Sequence, residues 1–259
     1  MSWASWPLDS PGRCTVNLPE GGALSKSKAA GFISASFVAR ALAAALLVWL
    51  VLSIGAVLVF RIVAPPFTAV MLQQPGGVGA LEYAWVDRDD IAASAAHAVM
   101  AAEDQRFLEH HGIDFVSLDK ALADYRDGDG MRGASTITQQ VAKNLFLWQG
   151  RSYVRKVLEA YFALLLEALW SKERILEVYL NIAEFGPGVF GVEAAAQAFF
   201  GGRASGLSTV QAALLAAVLP NPQRLRAARP SAYVRSRQAS IVTQMYLLDA
   251  RGHYRGLDW

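Results

Sequence analysis

The stretch AAEDQRFLEHHGID, Ala101 to Asp114, sets Glu103 beside Asp104 and follows them with Phe107, His110 and His111. Adjacent carboxylates are the groups of general acid–base work. The pattern from Ile91 to Glu103 predicts a helix that ends near the pair. A carboxylate near a helix C-terminus meets negative potential, which raises its proton affinity and suits a general base. The alternative is a solvent-facing acidic turn. Metal binding by the adjacent histidines is not expected. They do not share a helix face, and no HExxH pattern or third ligand accompanies them. His110 is expected to support the site by hydrogen bonding.

A second stretch, GASTITQQVAKN, runs from Gly133 to Asn144. Thr136 followed by Gln139 fits a capping box, so a helix is predicted to start here. Gln140, Lys143 and Asn144 share one face; Ile137, Val141 and Leu145 form another. The first N–H groups of a helix lack partners and its dipole end is positive, so this terminus is an expected anion site, with phosphate the obvious anion. The alternative is an ordinary capped helix with a solvated lysine. No P-loop pattern is present.

A third stretch, Arg155 to Asn181, reads RKVLEAYFALLLEALWSKERILEVYLN. Val157, Leu158, Tyr161, Leu165 and Leu169 make a core-facing stripe. Arg155 and Glu159 stand at i, i+4, with Lys156 at i, i+3 from the same glutamate. Such spacing often marks only a weak surface pair. Here the order argues for more, because cations in a first helical turn oppose the dipole. A sequence that accepts this needs the charges for a ligand.

These side chains must be held by a larger frame. The chain has 259 residues, enough for one sizeable domain plus an anchor. Amphipathic patterns run through 91–103, 136–148, 152–170, 171–182, 190–200, 208–219 and 231–250, so the domain is expected to be mainly helical. Strand signals are scarce; the alternating segment near 67–72 is short. RDGDGMRG, Arg126 to Gly133, reads as a Gly-Asp loop and a candidate for mobility.

Ala41 to Phe60 carries no charge and would span roughly 30 Å as a helix, one hydrocarbon core. It is too long for the apolar region of a cleaved signal peptide, and Pro65-Pro66 after it reads as a helix stop. Lys26, Lys28 and Arg40 precede it, whereas Glu82, Asp87, Asp89 and Asp90 follow. The positive-inside rule then places the N-terminus in the cytoplasm and residues 62–259 outside. The expected organisation is a disordered tail over 1–35, a transmembrane anchor over 36–64 and a single domain over 65–259. As a pure tether, the anchor should be dispensable for folding of a chain starting near Arg61. The lone cysteine, Cys14, falls on the reducing side, so no disulfide holds the domain. A net charge of +2 is too small to argue for nucleic acid.

Taken in order, EDQRFLEHHG, GASTITQQVAKN, RKVLEAYFALLLE, KERILEVYLN and GVEAAAQAFFG resemble the five motifs of the peptidoglycan glycosyltransferases, glycosyltransferase family 51. NIAEFGPGVFG, Asn181 to Gly191, resembles the monofunctional biosynthetic transglycosylase branch in particular. The likeness covers roughly residues 65–245. Phe200 departs from the pattern, where a tyrosine is expected, and the long N-terminal tail lies outside it.

The resemblance implies a lysozyme-like, two-lobed helical fold in an inner membrane, serving cell-wall biogenesis and cell shape. It implies polymerisation of lipid II into β-1,4 glycan strands, with undecaprenyl diphosphate leaving. In this assignment Glu103 is the general base, and Glu159 is the second essential carboxylate. Glu159 either orients the cations or holds a divalent ion, magnesium or manganese, at the diphosphate; no cofactor is firmly expected. Lys143, Arg155 and Lys156 meet the leaving diphosphate. Asp104 and His110 shape the acceptor side, with Phe107 packing beneath. Ser135, Thr136, Gln140 and Asn144 match polar positions of the cleft. Leu145, Phe146, Leu147 and Trp148 belong either to the membrane interface or to the core. Expected partners are lipid II, the growing lipid-linked chain, the membrane, and proteins of cell-wall synthesis or division. The alternatives are a lysozyme-like or lytic glycan-cleaving enzyme, for which the cations have no use, and a non-catalytic cell-wall scaffold, against which both glutamates speak.

Overall fold

A computed structural model describes residues 35–127, 135–150 and 152–259. Ten helices and three short strands follow one another among these residues. They are α1 (Ala35–Phe60), α2 (Ala69–Leu72), β1 (Glu82–Tyr83), α3 (Ala93–Glu103), α4 (Phe115–Arg126), α5 (Ile137–Phe146) and α6 (Tyr153–Leu169), then α7 (Lys172–Ile182), β2 (Glu184–Gly186), β3 (Val189–Phe190), α8 (Val192–Phe200), α9 (Thr209–Val218) and α10 (Ala232–Ala250). The fold is mainly helical, as the apolar periodicity predicts.

Most helix starts are written locally. Asp114 caps α4, Ser152 caps α6, Ser171 caps α7 and Ser231 caps α10, each side chain accepting from a first-turn N–H. Thr136 and Ser208 form full capping boxes with Gln139 and Gln211 at α5 and α9. The expected box at Thr136 is therefore present.

Met1–Leu46 and Leu47–Trp259 form separate compact units. The described part of the first is the exposed, apolar beginning of α1. From Ser36 to Phe60 that helix is long and apolar enough to cross a membrane.

Within the second unit, the remainder of α1 is more than a tether. Val57 is fully buried, and Ser53 is 6% exposed. Ser53 Oγ lies 2.8 Å from the Tyr161 hydroxyl on α6. Trp170 Nε1 donates to Val57 O at 2.8 Å, and Arg174 Nη2 donates to Phe60 O at 2.8 Å. The Trp49 ring lies 4.8 Å from that of Tyr161. Arg174 thus satisfies a C-terminal carbonyl of α1 that has no partner inside its own helix. A chain starting near Arg61 would strip cover from α6 and α7, so dispensability for folding is not what this packing gives.

In the core, α5 lies against α6 and α7, while α3 packs on α9 with α10 across both. Ile137, Val141 and Leu145 face inward from α5, as their spacing predicts. Helix α3 buries Ala95, Ala96 and Ala98, and α9 buries Ala212, Ala213 and Ala216. Small side chains let the two backbones approach, and α3 carries Glu103 at its end.

The strands lie elsewhere than expected. The alternating segment near 67–72 is a capped turn of helix, because Thr68 Oγ1 accepts from Met71 N at 3.1 Å. The three-stranded sheet has order β1-β3-β2, with β1 parallel and β2 antiparallel to β3 and a register shift between Glu184 and Gly186. Buried Asn181 pins it: Nδ2 donates to Val86 O and Oδ1 accepts from Val86 N, both at 2.9 Å. Gly191 takes φ 87°, and a Cβ there would stand 2.6 Å from Asn181 O.

Helix α4 lies outside the amphipathic patterns of the sequence. Only Ala121 is buried in it, while Phe115, Val116 and Tyr125 are exposed, so no inward stripe announces it. Of the RDGDGMRG loop, residues 128–133 lie outside the described residues. Phe200 packs its ring against the core at the end of α8.

Candidate active site

Glu103 is the last residue of α3 and opens onto a cleft of about 710 Å³. Ser135, Gln140, Lys143, Arg155, Lys156 and Glu159 line the same cleft. Five segments separated in sequence, α3, α5 with its approach, α6, the Leu219–Pro220 turn after α9, and α10 through Arg237, thus converge on one space.

Glu103 is held at both oxygens. Gln140 Nε2 donates to Oε2 at 3.0 Å, and Arg237 Nη2 stands 3.4 Å from Oε1. Burial pushes its proton affinity above the usual carboxylate range; Gln140, Arg237 and Lys143 oppose the rise, and Asp104 adds to it. The direction is the one expected from the helix end, but the largest cause is loss of water. Tyr179 of α7 donates its hydroxyl to Gln140 Oε1 at 3.3 Å, which fixes the amide that holds the glutamate.

Asp104, next in sequence, does different work. It is buried, and its Oδ2 accepts from Ile137 N, the first N–H of α5, at 3.0 Å. His110 Nε2 lies 3.0 Å from each Asp104 oxygen and donates to the carboxylate. The anion at the α5 N-terminus is therefore the protein's own carboxylate, not a substrate phosphate. Asp104 and the Thr136–Gln139 box thus take the N–H groups of Ile137, Gln139 and Thr136 at this terminus.

Thr136 is buried as well, its Oγ1 donating to Gly112 O at 2.6 Å. Phe107 is fully buried beneath, with Lys172 Nζ 4.4 Å above its ring. It therefore offers no surface to a ligand and contributes only support. A smaller hollow of about 250 Å³ on the other side of Glu103 is lined by Asp104, Arg106, Asp114, Ser117, Ser135 and Thr136.

The cations gather on α5 and α6. Arg155 Nη1 donates to Glu159 Oε2 at 2.8 Å, and Lys156 Nζ donates to Oε1 at 2.5 Å. Lys156 Nζ also lies 3.3 Å from Ser135 Oγ. The i, i+3 and i, i+4 spacing thus becomes a real cluster, its carboxylate only 5% exposed. Lys143 makes no ion pair among the described residues. Burial lowers its proton affinity, Arg155 and Lys156 lower it further, and Glu159 and Glu103 oppose them. Asn144 lines an adjoining hollow of about 470 Å³ with Gln140, Lys143, Trp148 and Arg155. Leu145 and Leu147 are core, Phe146 stacks on Phe162 at 4.5 Å, and Trp148 is 44% exposed at the rim.

The Transglycosylase family profile matches residues 72–246. The biosynthetic peptidoglycan transglycosylases of Shigella boydii serotype 4 (strain Sb227) and Escherichia coli (strain K12 / DH10B) are each 53% identical to the chain over 233 residues. Those matches cover 87% of this chain and 95% of each relative. The chain belongs to the transglycosylase family.

Within the cleft Arg237 stands against Glu103, while Arg155 and Lys156 stand against Glu159. The donor set does not itself make a divalent-ion site. Both oxygens of Glu159 are taken by Arg155 and Lys156, and no cluster of three or more metal-ligating side chains occurs among the described residues.

Sequence reasoning missed Tyr179 and Arg237. Arg237 left a signal, for it stands at i+3 from Val234 and i−4 from Ile241, both buried on α10. A charge on the core-facing stripe of a helix needs a partner.

Proposed function

We propose that the chain is a membrane-anchored, inverting peptidoglycan glycosyltransferase. It polymerises lipid II into β-1,4 glycan strands and releases undecaprenyl diphosphate. The 4-hydroxyl oxygen of the acceptor sugar attacks C1 of the lipid-linked donor. The hydroxyl proton passes to the Glu103 carboxylate as the new C1–O bond forms. The bond from C1 to the phosphate oxygen breaks, and its electron pair leaves with the diphosphate. Lys143, Arg155 and Lys156 meet the charge that develops there. Glu159 holds Arg155 and Lys156 in place, while Asp104 and His110 fix the junction of α3 with α5.

The observation that carries this reading is the cation cluster in the same cleft as a buried carboxylate. A diphosphate is already a weak base and leaves when its charge is met. A sugar leaving group needs a proton instead, and cations would have nothing to neutralise. An α-linked donor attacked in line gives the inverted β product.

The apolar α1 supports an anchor, and the charge pattern around it supports a single pass through an inner membrane. In this reading the N-terminus is cytoplasmic and residues 62–259 are periplasmic. Both substrates carry lipid tails, so anchoring confines enzyme and substrate to one surface. Proteins of cell-wall synthesis or division are the proposed neighbours there.

Purified full-length chain incubated with lipid II tests the proposal. Polymer with release of undecaprenyl diphosphate is expected. Shortening of preformed glycan would transfer the site to a glycan-cleaving enzyme, and no change in either substrate would leave a scaffold.

A further inference from the structure

The roles above leave one cleft cation unassigned. Arg237 reaches Glu103 from α10, 134 positions away in the chain. The other cations of the cleft face the Glu159 side: Arg155 and Lys156 bond to it, and Lys143 responds to it more strongly than to Glu103. Among the described residues, Arg237 is the cation that forms an ion pair with Glu103.

We propose that Arg237 is a positioning residue for the base: its guanidinium, presented from α10, holds Oε1 of Glu103 and so fixes the carboxylate that takes the acceptor proton. This rests on Glu103 being that base.

The geometry suits the task. Gln140 occupies Oε2 at 3.0 Å, so the attacking hydroxyl must be served mainly by Oε1. Arg237 stands 3.4 Å from Oε1, longer than the about 2.7–2.9 Å of a full charge-assisted hydrogen bond. The contact is a long hydrogen bond that leaves Oε1 a second lone pair for the incoming proton. Arginine also stays charged at any working pH, so it cannot take the proton meant for Glu103. Its Nε is buried without a partner among the described residues. Leu219 and Pro220 share the cleft wall with it and supply no competing anion.

The groups facing Glu103 are few. Asp104 comes from its own helix end, Gln140 and Lys143 from α5, and Arg237 from α10. Tyr179 of α7 also feels its charge but is fully buried. Among the described residues, the cations acting on Glu103 are Lys143 and Arg237, and Lys143 is committed to the diphosphate. Removing Arg237 leaves the buried carboxylate with less positive charge near it, so Glu103 holds its proton to higher pH. A base that works ionised then loses activity at higher pH than before.

Arg237→Gln and Arg237→Lys, in the full-length chain, test this through initial polymerisation rates across pH and lipid II concentration. For the glutamine variant, kcat at neutral pH should fall about tenfold and the acid limb should move up by about one pH unit. KM should change by no more than about twofold, because the effect lies on the proton transfer rather than on binding. Arg237→Lys should recover most of the limb position, since the charge returns. If the glutamine variant fails to fold, Arg237→Met, which keeps much of the stem without the charge, takes its place. An unmoved acid limb in the folded neutral variant overturns the proposal. So does a loss carried by KM, which would put Arg237 on the substrate. Glu103→Gln is the separating control. If that variant stays active, the base assignment itself falls; if it is inactive while the limb of the neutral Arg237 variant stays put, only the role of Arg237 falls.

Discussion

Glu159→Gln tests the cation cluster at its centre. The native carboxylate accepts from Arg155 Nη1 at 2.8 Å on one oxygen and from Lys156 Nζ at 2.5 Å on the other. Glutamine keeps the volume but offers a single oxygen. Whichever cation meets the amide nitrogen then faces a donor with a donor. Arg155 is only 13% exposed, whereas Lys156 is 49% exposed and can turn to water. The lower-energy variant therefore keeps Arg155 on the amide oxygen and releases Lys156.

Removing one partner of a fully buried pair costs about 3–5 kcal/mol, and an exposed pair contributes about 0–1 kcal/mol. With one cation half in solvent, about 1–3 kcal/mol is expected here, which lowers Tm by roughly 2–12 °C for a domain of this size. The released Lys156 also leaves the diphosphate position near Ser135. Loss of one charge-assisted contact there should slow turnover by about ten- to a hundredfold. Glu159 is moreover the main charge opposing the lowered proton affinity of Lys143. Without it Lys143 deprotonates at lower pH, so the alkaline limb of the rate profile should move down. Polymerisation rates across pH, with thermal unfolding in the same detergent, read all three effects. Native Tm together with an unmoved alkaline limb would falsify the assignment of Glu159 as the counter-ion of the cluster.

Three further outcomes follow from the same geometry. Glu103→Gln should lower turnover on the order of 10²–10⁴ while leaving lipid II affinity nearly native, because the base acts only as the hydroxyl attacks; a near-normal rate removes Glu103 from that role. In the native enzyme the acid limb should lie above the ordinary carboxylate range, since burial raises Glu103. The same raised affinity means the folded state holds this proton after the unfolded chain has lost it. Glu103 ionisation thus weakens the fold as pH climbs through that window, and Glu103→Gln should unfold at a higher temperature than native at neutral pH; an unchanged pH dependence of Tm in the variant counts against this. Ser53→Ala should lower stability by about 0.5–1.5 kcal/mol in detergent, with Tyr161→Phe adding little on top, because both remove the same hydrogen bond; full additivity would mean that α1 does not dock through that pair.

The spacing of Arg155, Lys156 and Glu159 needed no fold to be read. One helix sets their angular separation, and the Ser152 cap sets where that helix begins. The apolar run of α1 and the Thr136–Gln139 box were legible for the same reason, as each depends on neighbours within a few residues. The ordered motifs carried the family, and with it the choice of Glu103. Partnerships across the chain were decided only by packing. Asp104 closing the α5 N-terminus spans 33 positions, Ser53 meeting Tyr161 spans 108, and Arg237 reaching Glu103 spans 134. No periodicity encodes such a distance; it exists only once α3, α9 and α10 lie against one another. The α5 terminus shows the consequence most plainly. Its unpaired N–H groups and positive dipole are local properties and promise an anion, but which anion arrives depends on what the rest of the chain brings there, and the fold brings Asp104.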